Sequence, residues 1–136
     1  MADPTVRAAL DQAFNDSQAG TTSNHEEGGW IFANAYNANF HIVRVPSGPI
    51  GGNLNMGNIP TMPSERLVGE FHTHPYRQGQ KAMPGYVFGN PARPSPADTN
   101  GANLQSRVPG LIRYRDRKGR RGTSPYGPNR GQCTPV

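Results

Sequence analysis

Apolar residues near the start of the chain recur at helical spacing. Val6, Leu10 and Phe14, backed by Ala9 and Ala13, line one face of a helix with 3.6 residues per turn. Asp3-Pro4 supplies an N-cap and a proline suited to the first helical position, and Gly20 with the polar stretch 21–24 ends the helix. The stripe predicts packing against a sheet. The pattern then changes to short apolar runs rich in aromatic and β-branched residues. Gly28–Tyr36 and Phe40–Val45, joined by Asn37-Ala38-Asn39, predict a hairpin. Pro46–Pro63 has no periodicity and many Gly, Asn and Pro residues, which predicts a long ordered loop of the kind that borders functional sites. Glu65–Phe71 predicts a third strand and delivers His72-Thr73-His74. Residues 75–94 return to loop composition, with Tyr86-Val87-Phe88 as a small apolar island. Ser95-Pro96 opens a second helix running to Arg107, Leu111–Arg115 predicts a fourth strand, and Asp116–Gly122 a tight charged turn. The last dozen residues predict either a short strand or a tail.

This order of elements, in 136 residues with 17 glycines and 14 prolines, predicts an α/β (α+β) chain: a small sheet with helices and long Gly/Pro-rich loops. The length suits a single domain over 1–136, with 123–136 a candidate flexible tail. No apolar run approaches membrane-spanning length, and no basic segment followed by an apolar stretch opens the chain. The expectation is a chain cytoplasmic at synthesis, exported if at all without a cleavable signal. The single cysteine, Cys133, cannot form an internal disulfide.

The charge is uneven. Of the net +5, much comes from Arg113, Arg115, Arg117, Lys118, Arg120 and Arg121. Such a run can meet nucleic acid, an anionic surface or an acidic protein, and more often is a solvated strand or hairpin end. No aromatic and basic pattern of an RNA-binding sheet accompanies it, so nucleic acid ranks last among the partners.

The chemistry concentrates in Gly69-Glu70-Phe71-His72-Thr73-His74-Pro75 and in Ser95-Pro96-Ala97-Asp98. Histidines two apart on a strand project from one face. A carboxylate from a helix start completes a His, His, Asp set, which suits zinc with one coordination position open and hence hydrolysis. Each piece also has a plain structural use, since Ser-Pro-x-Asp is a good helix N-terminus. His41 reads as a satisfied sheet residue in an apolar setting, His25 as an exposed turn residue, and Trp30, Phe32, Phe40 and Phe71 as core.

The order of a glutamate, His-x-His-Pro and Ser-x-x-Asp resembles the JAMM metalloproteases, the MPN or JAB domain family. The resemblance spans Glu26 to Tyr114. It implies a cytidine-deaminase-like MPN/JAB architecture, a mixed sheet flanked by helices, and a Zn2+-dependent peptidase or isopeptidase. It maps the metal ligands to His72, His74 and Asp98 and the serine beside the metal-bound water to Ser95. Glu26, ahead of Gly29, takes the place of the general base, with Glu27 in reserve. Residues 75–94 between His74 and Ser95 are more than the family usually has, but lengthening a loop costs only about 0.6 kcal/mol per doubling. A bacterial JAB-like branch, some of whose members end secreted or toxin-type proteins, is the nearer likeness. The implied partners are a protein or peptide substrate, including one with a ubiquitin-like tail lying along loops 46–63 and 76–94. For a toxin or effector they also include an immunity or carrier protein. The alternatives are a non-catalytic MPN-like interaction module and, last, a basic nucleic-acid-binding protein.

Overall fold

The computed structural model describes residues 3–76 and 90–128. Its elements are α1 (Pro4–Asp16), β1 (Gly28–Asn34), β2 (Phe40–Arg44), β3 (Glu65–His74), α2 (Pro96–Gly101), β4 (Gly110–Arg115) and β5 (Arg121–Tyr126). A π-helical segment, Ala102–Ser106, continues α2. The strands form one mixed sheet in the order β2-β1-β3-β4-β5. β3 and β4 are parallel and the other neighbours antiparallel. A parallel pair needs a long crossover, and that crossover carries α2.

Local signals set the helices. The Asp3 carboxylate accepts from the Thr5 and Val6 N–H groups at 2.8 and 3.3 Å, the N-cap expected of Asp-Pro. α1 stops at Asp16, short of Gly20, because Gln18 turns into the left-handed region at φ 54°. The second helix has the anticipated extent, but its last turn is π-helical and Arg107 closes it at φ 57°. Asn34, Asn37 and Ala38 make the β1–β2 turn, with the Ala38 N–H donating to the Asn34 carbonyl at 3.0 Å.

The two faces of the sheet carry different layers. Val6, Leu10 and Ala13 of α1 bury against Ile31, Phe71 and Leu111 on one face. On the other, Trp30, Phe32 and Val45 pack under Leu54, Met56 and Met62 of the loop, while Ala102 of the π-helical turn meets Ile112 and Tyr126. The register shift between Ile31 and Phe32 leaves Val68 as an extra residue of β3. This bulge reverses the alternation along β3, so Val68 packs toward α1 and Leu67 under the loop.

Residues 123–126, read from sequence as the start of a tail or a short strand, belong to β5, which pairs with β4 along its whole length. Cross-strand contacts that the local sequence does not announce hold it there. The readings on Tyr86-Val87-Phe88 and Cys133 fall outside the described residues. Among the described residues, no helix is long and apolar enough to cross a membrane.

Candidate metal centre

Alternation along β3 divides its end between the two faces. Phe71 and Thr73 turn toward α1, and Glu70, His72 and His74 turn toward the face covered by the loop and α2. α2 then brings Asp98 over that face. Its start is a complete capping box: Ser95 Oγ accepts from the Asp98 N–H at 3.1 Å, and Asp98 Oδ2 accepts from the Ser95 N–H at 2.8 Å.

Three donor atoms converge. His72 Nε2 and His74 Nε2 are 3.0 Å apart, and Asp98 Oδ2 lies 3.2 Å from the first and 3.5 Å from the second. Tetrahedral ligands at 2.0–2.1 Å from a zinc ion would stand about 3.3 Å from one another, so the spacing fits a small divalent cation. Hydrogen bonding fits it too. His74 Nδ1 lies 2.9 Å from the Pro91 carbonyl, which can only accept, so Nδ1 carries the proton and Nε2 of the neutral ring presents its lone pair. Two imidazole lone pairs 3.0 Å apart repel unless a proton or a metal ion sits between them. His72, His74 and Asp98 therefore form a group that could hold a metal ion, with both imidazoles buried and the carboxylate partly open.

In the absence of a metal the charges settle among the ligands. Burial opposes ionisation of Asp98, but hydrogen bonds from His72 and His74, the His72 charge and the Ser95 N–H outweigh it and hold Asp98 well below the usual carboxylate range. Burial likewise works against a charged His72, yet Asp98, Glu26 and Glu70 raise its pKa overall.

Glu26 reaches the triad from the segment before β1. Its Oε2 is 3.9 Å from His74 Nε2, and its Oε1 accepts from the Leu54 N–H at 2.9 Å. Burial pushes its pKa upward, partly offset by the two histidines. Glu27 occupies a different environment. It accepts from Arg44 at 2.5 Å and lies 2.7 Å from His25 Nε2, so its carboxylate is an ion-pair residue away from the triad. His25 is accordingly a partly buried partner of Glu27 and not an exposed turn residue. His41 lies on β2, at the edge of the sheet among the described residues, where it is solvent-exposed and 2.9 Å from Glu65. Of the aromatics read as core, Trp30, Phe32 and Phe71 are buried and Phe40 is half-buried.

A cleft of about 410 Å³ opens beside the triad. Its walls are Leu54, Met56 and Ile59 of the loop on one side and Ala97 and Leu104 on the other, with Glu70 on its floor. The loop is anchored to the site by Glu26 and by Tyr76, whose hydroxyl donates to the Gly52 carbonyl at 2.9 Å. Glu70 is 5 % exposed, and desolvation raises its carboxyl pKa to about 7. Across the sheet Trp30, Glu70, Gly110 and Tyr126 stand in one row of the register. Glu70 and Tyr126 escape a motif-based reading. Glu70 could have been found from its spacing, two residues before His72 on the same strand face. Tyr126 could not, since only its pairing with Gly110 brings it to the site.

The arginine run is largely structural. Arg113 is buried and donates to Asp11 at 2.6 Å, Arg121 donates to Asn15 at 2.6 Å, and Arg115 and Arg121 stack over the Phe14 ring. Asp116 closes the β4–β5 turn by accepting from the Lys118 and Arg120 N–H groups at 2.9 Å.

These features define an α+β protein with a five-stranded mixed sheet and a candidate metal centre on one face. No family model matches the chain, and no curated protein or solved structure matches it.

Proposed function

We propose that the chain is a zinc-dependent hydrolase of peptide or isopeptide bonds, of the JAMM type that its His-Thr-His-Pro and Ser-Pro-Ala-Asp segments resemble. The observation that carries the reading is the convergence of His72, His74 and Asp98 with a fourth group, Glu26, whose Oε2 lies 3.9 Å from His74 Nε2. A metal site alone needs no such carboxylate. Bound there, zinc would polarise a carbonyl and bring the pKa of a water toward about 7.

The chain's own residues supply the rest. Glu26 takes a proton from water in the cleft as the water oxygen bonds to the carbonyl carbon, and returns it to the leaving nitrogen as the C–N bond breaks. Its raised pKa suits both halves of that task, since a weaker acid holds the proton until the amine leaves. Ser95 Oγ accepts from the Asp98 N–H, which leaves its own O–H to donate to an oxyanion. The apolar walls hold the substrate flanks and exclude bulk water. A toxin or effector role, with an immunity or carrier partner, accords with this chemistry.

The test is elemental analysis joined to a peptide-library cleavage assay. The wild type should carry about one zinc per chain and cleave, Glu26→Gln should keep the metal without cleaving, and His72→Ala/His74→Ala should lose both. A wild type that takes up no zinc would overturn the proposal.

A further inference from the structure

His72 has a second contact that the triad does not use. Its Nδ1 lies 3.1 Å from the Tyr126 hydroxyl, and that hydroxyl donates to Glu70 Oε1 at 3.4 Å. All three side chains are buried, at 4, 3 and 5 % exposure. A phenol has one proton to give. With that proton directed at Glu70, the oxygen is free to accept from His72, so a cation taking the Nε2 lone pair leaves the hydrogen on Nδ1 with a partner. The ring of Tyr126 packs edge-on to that of His72, with centroids 5.4 Å apart.

We infer that Tyr126 and Glu70 are positioning residues for the metal centre, a relay from His72 Nδ1–H through the Tyr126 hydroxyl to the Glu70 carboxylate that sets the tautomer and orientation of His72. The inference rests on the triad being a metal site. By accepting the phenol proton, Glu70 makes the hydroxyl a better acceptor and the imidazole a stronger donor to a cation. Gly110 makes the arrangement possible. It stands between Glu70 and Tyr126 in the register, and a Cβ there would come within 2.1 Å of Tyr126 Cζ. The missing side chain gives the tyrosine ring its place. His74 reaches the same end by other means, through the Pro91 carbonyl. The two ligands are thus oriented from opposite sides by unrelated segments.

The experiment compares the full chain with Tyr126→Phe and Glu70→Gln by chelator competition for zinc and by 15N NMR of the histidine rings. Tyr126→Phe keeps the ring and removes the hydroxyl, and should weaken zinc binding by about 10–100-fold. In the zinc-loaded protein it should also shift the 15N signal of His72 Nδ1–H, which loses its acceptor. The His74 Nδ1–H signal, held by Pro91, should stay in place, which a general loosening of the fold would not allow. Wild-type zinc affinity and an unchanged His72 Nδ1–H signal in Tyr126→Phe would overturn the inference. If Tyr126→Phe does not fold, Glu70→Gln decides in the same way: weaker zinc binding supports the relay and unchanged binding refutes it. A wild type that binds no zinc refutes the metal site itself, a separate result.

Discussion

Thr73 and Glu27 hydrogen-bond each other twice. The Thr73 N–H donates to the Glu27 carbonyl at 2.8 Å, and the Glu27 N–H donates to Thr73 Oγ1 at 3.0 Å. Thr73 Oγ1 also contacts the Ser17 hydroxyl at the end of α1. The residue between the two histidines thereby fixes the segment carrying Glu26 beside them. Thr73→Val keeps the shape and removes that oxygen, leaving a buried N–H and a buried hydroxyl without it. The expected loss is about 1–3 kcal/mol in urea unfolding, with a fall in peptide cleavage larger than the loss of zinc affinity.

The neighbouring glutamates should separate by role. Glu26→Gln should abolish cleavage with little change in stability or zinc content. Glu27→Gln weakens the pairs to Arg44 and His25 and should lower stability by about 1–3 kcal/mol while the folded fraction still cleaves. Melting curves and cleavage rates on both variants check this, and the reverse pattern would assign the base to Glu27.

The triad residues predict opposite pH trends with and without zinc. The raised His72 pKa contributes stability that is fully present below the ordinary histidine value of about 6.5 and is lost as pH rises through the raised value. The lowered Asp98 pKa contributes stability present above about 3.9 and lost as pH falls through the lowered value. The zinc-free protein should therefore gain most from this pair between about pH 4 and 6.5. Zinc needs neutral imidazoles, so its stabilisation grows as the pair's share fades. The melting-temperature gap between zinc-loaded and chelated protein should widen between about pH 6 and 8; a constant gap would contradict the triad as ligand set.

Two glycines give a paired test of packing at the site. A Cβ on Gly28, opposite His72 in the register, would lie 2.5 Å from the Phe71 carbonyl oxygen and 2.6 Å from Leu54 Cδ2. Backbone cannot yield as a flexible side chain does, so Gly28→Ala should cost about 1–3 kcal/mol and weaken zinc binding. Gly101, the last residue of α2, has helical φ and open space around its Cα. Gly101→Ala should stabilise by about 0.4–1 kcal/mol and leave zinc binding unchanged. Chemical denaturation of both variants reads the difference.

Much was legible where the signal is local. The α1 stripe Val6, Leu10, Phe14 is buried as its spacing requires, and Asp3-Pro4 and Ser95-Pro96 open helices because a cap needs only neighbouring atoms. The period of two along β3 puts His72 and His74 on one face. The helix start brings Asp98 to them although residues 75–94, most of them outside the described residues, separate it from His74. The strand at 121–126 was ambiguous, since RGTSPY has little apolar alternation and owes its place to the ladder with β4. The arginine run read as a solvated strand or hairpin end, yet Asp11 and Asn15, over a hundred residues away in the chain, engage two of its members.

Sequence by itself determined the two helices, the first four strands and which side chains share a strand face or a helix turn, because those relations depend on backbone periodicity and on contacts a few residues apart. Tertiary structure alone decided that Glu26 and not Glu27 faces the triad, a choice made by the paired hydrogen bonds to Thr73 and by Arg44 and His25 drawing Glu27 away. It alone set Tyr126 against His72, fifty-four residues apart, through a glycine gap in the strand between. Hydrogen-bond partners and buried charges are fixed by whichever groups the sheet order brings together, and sheet order is a property of the whole chain.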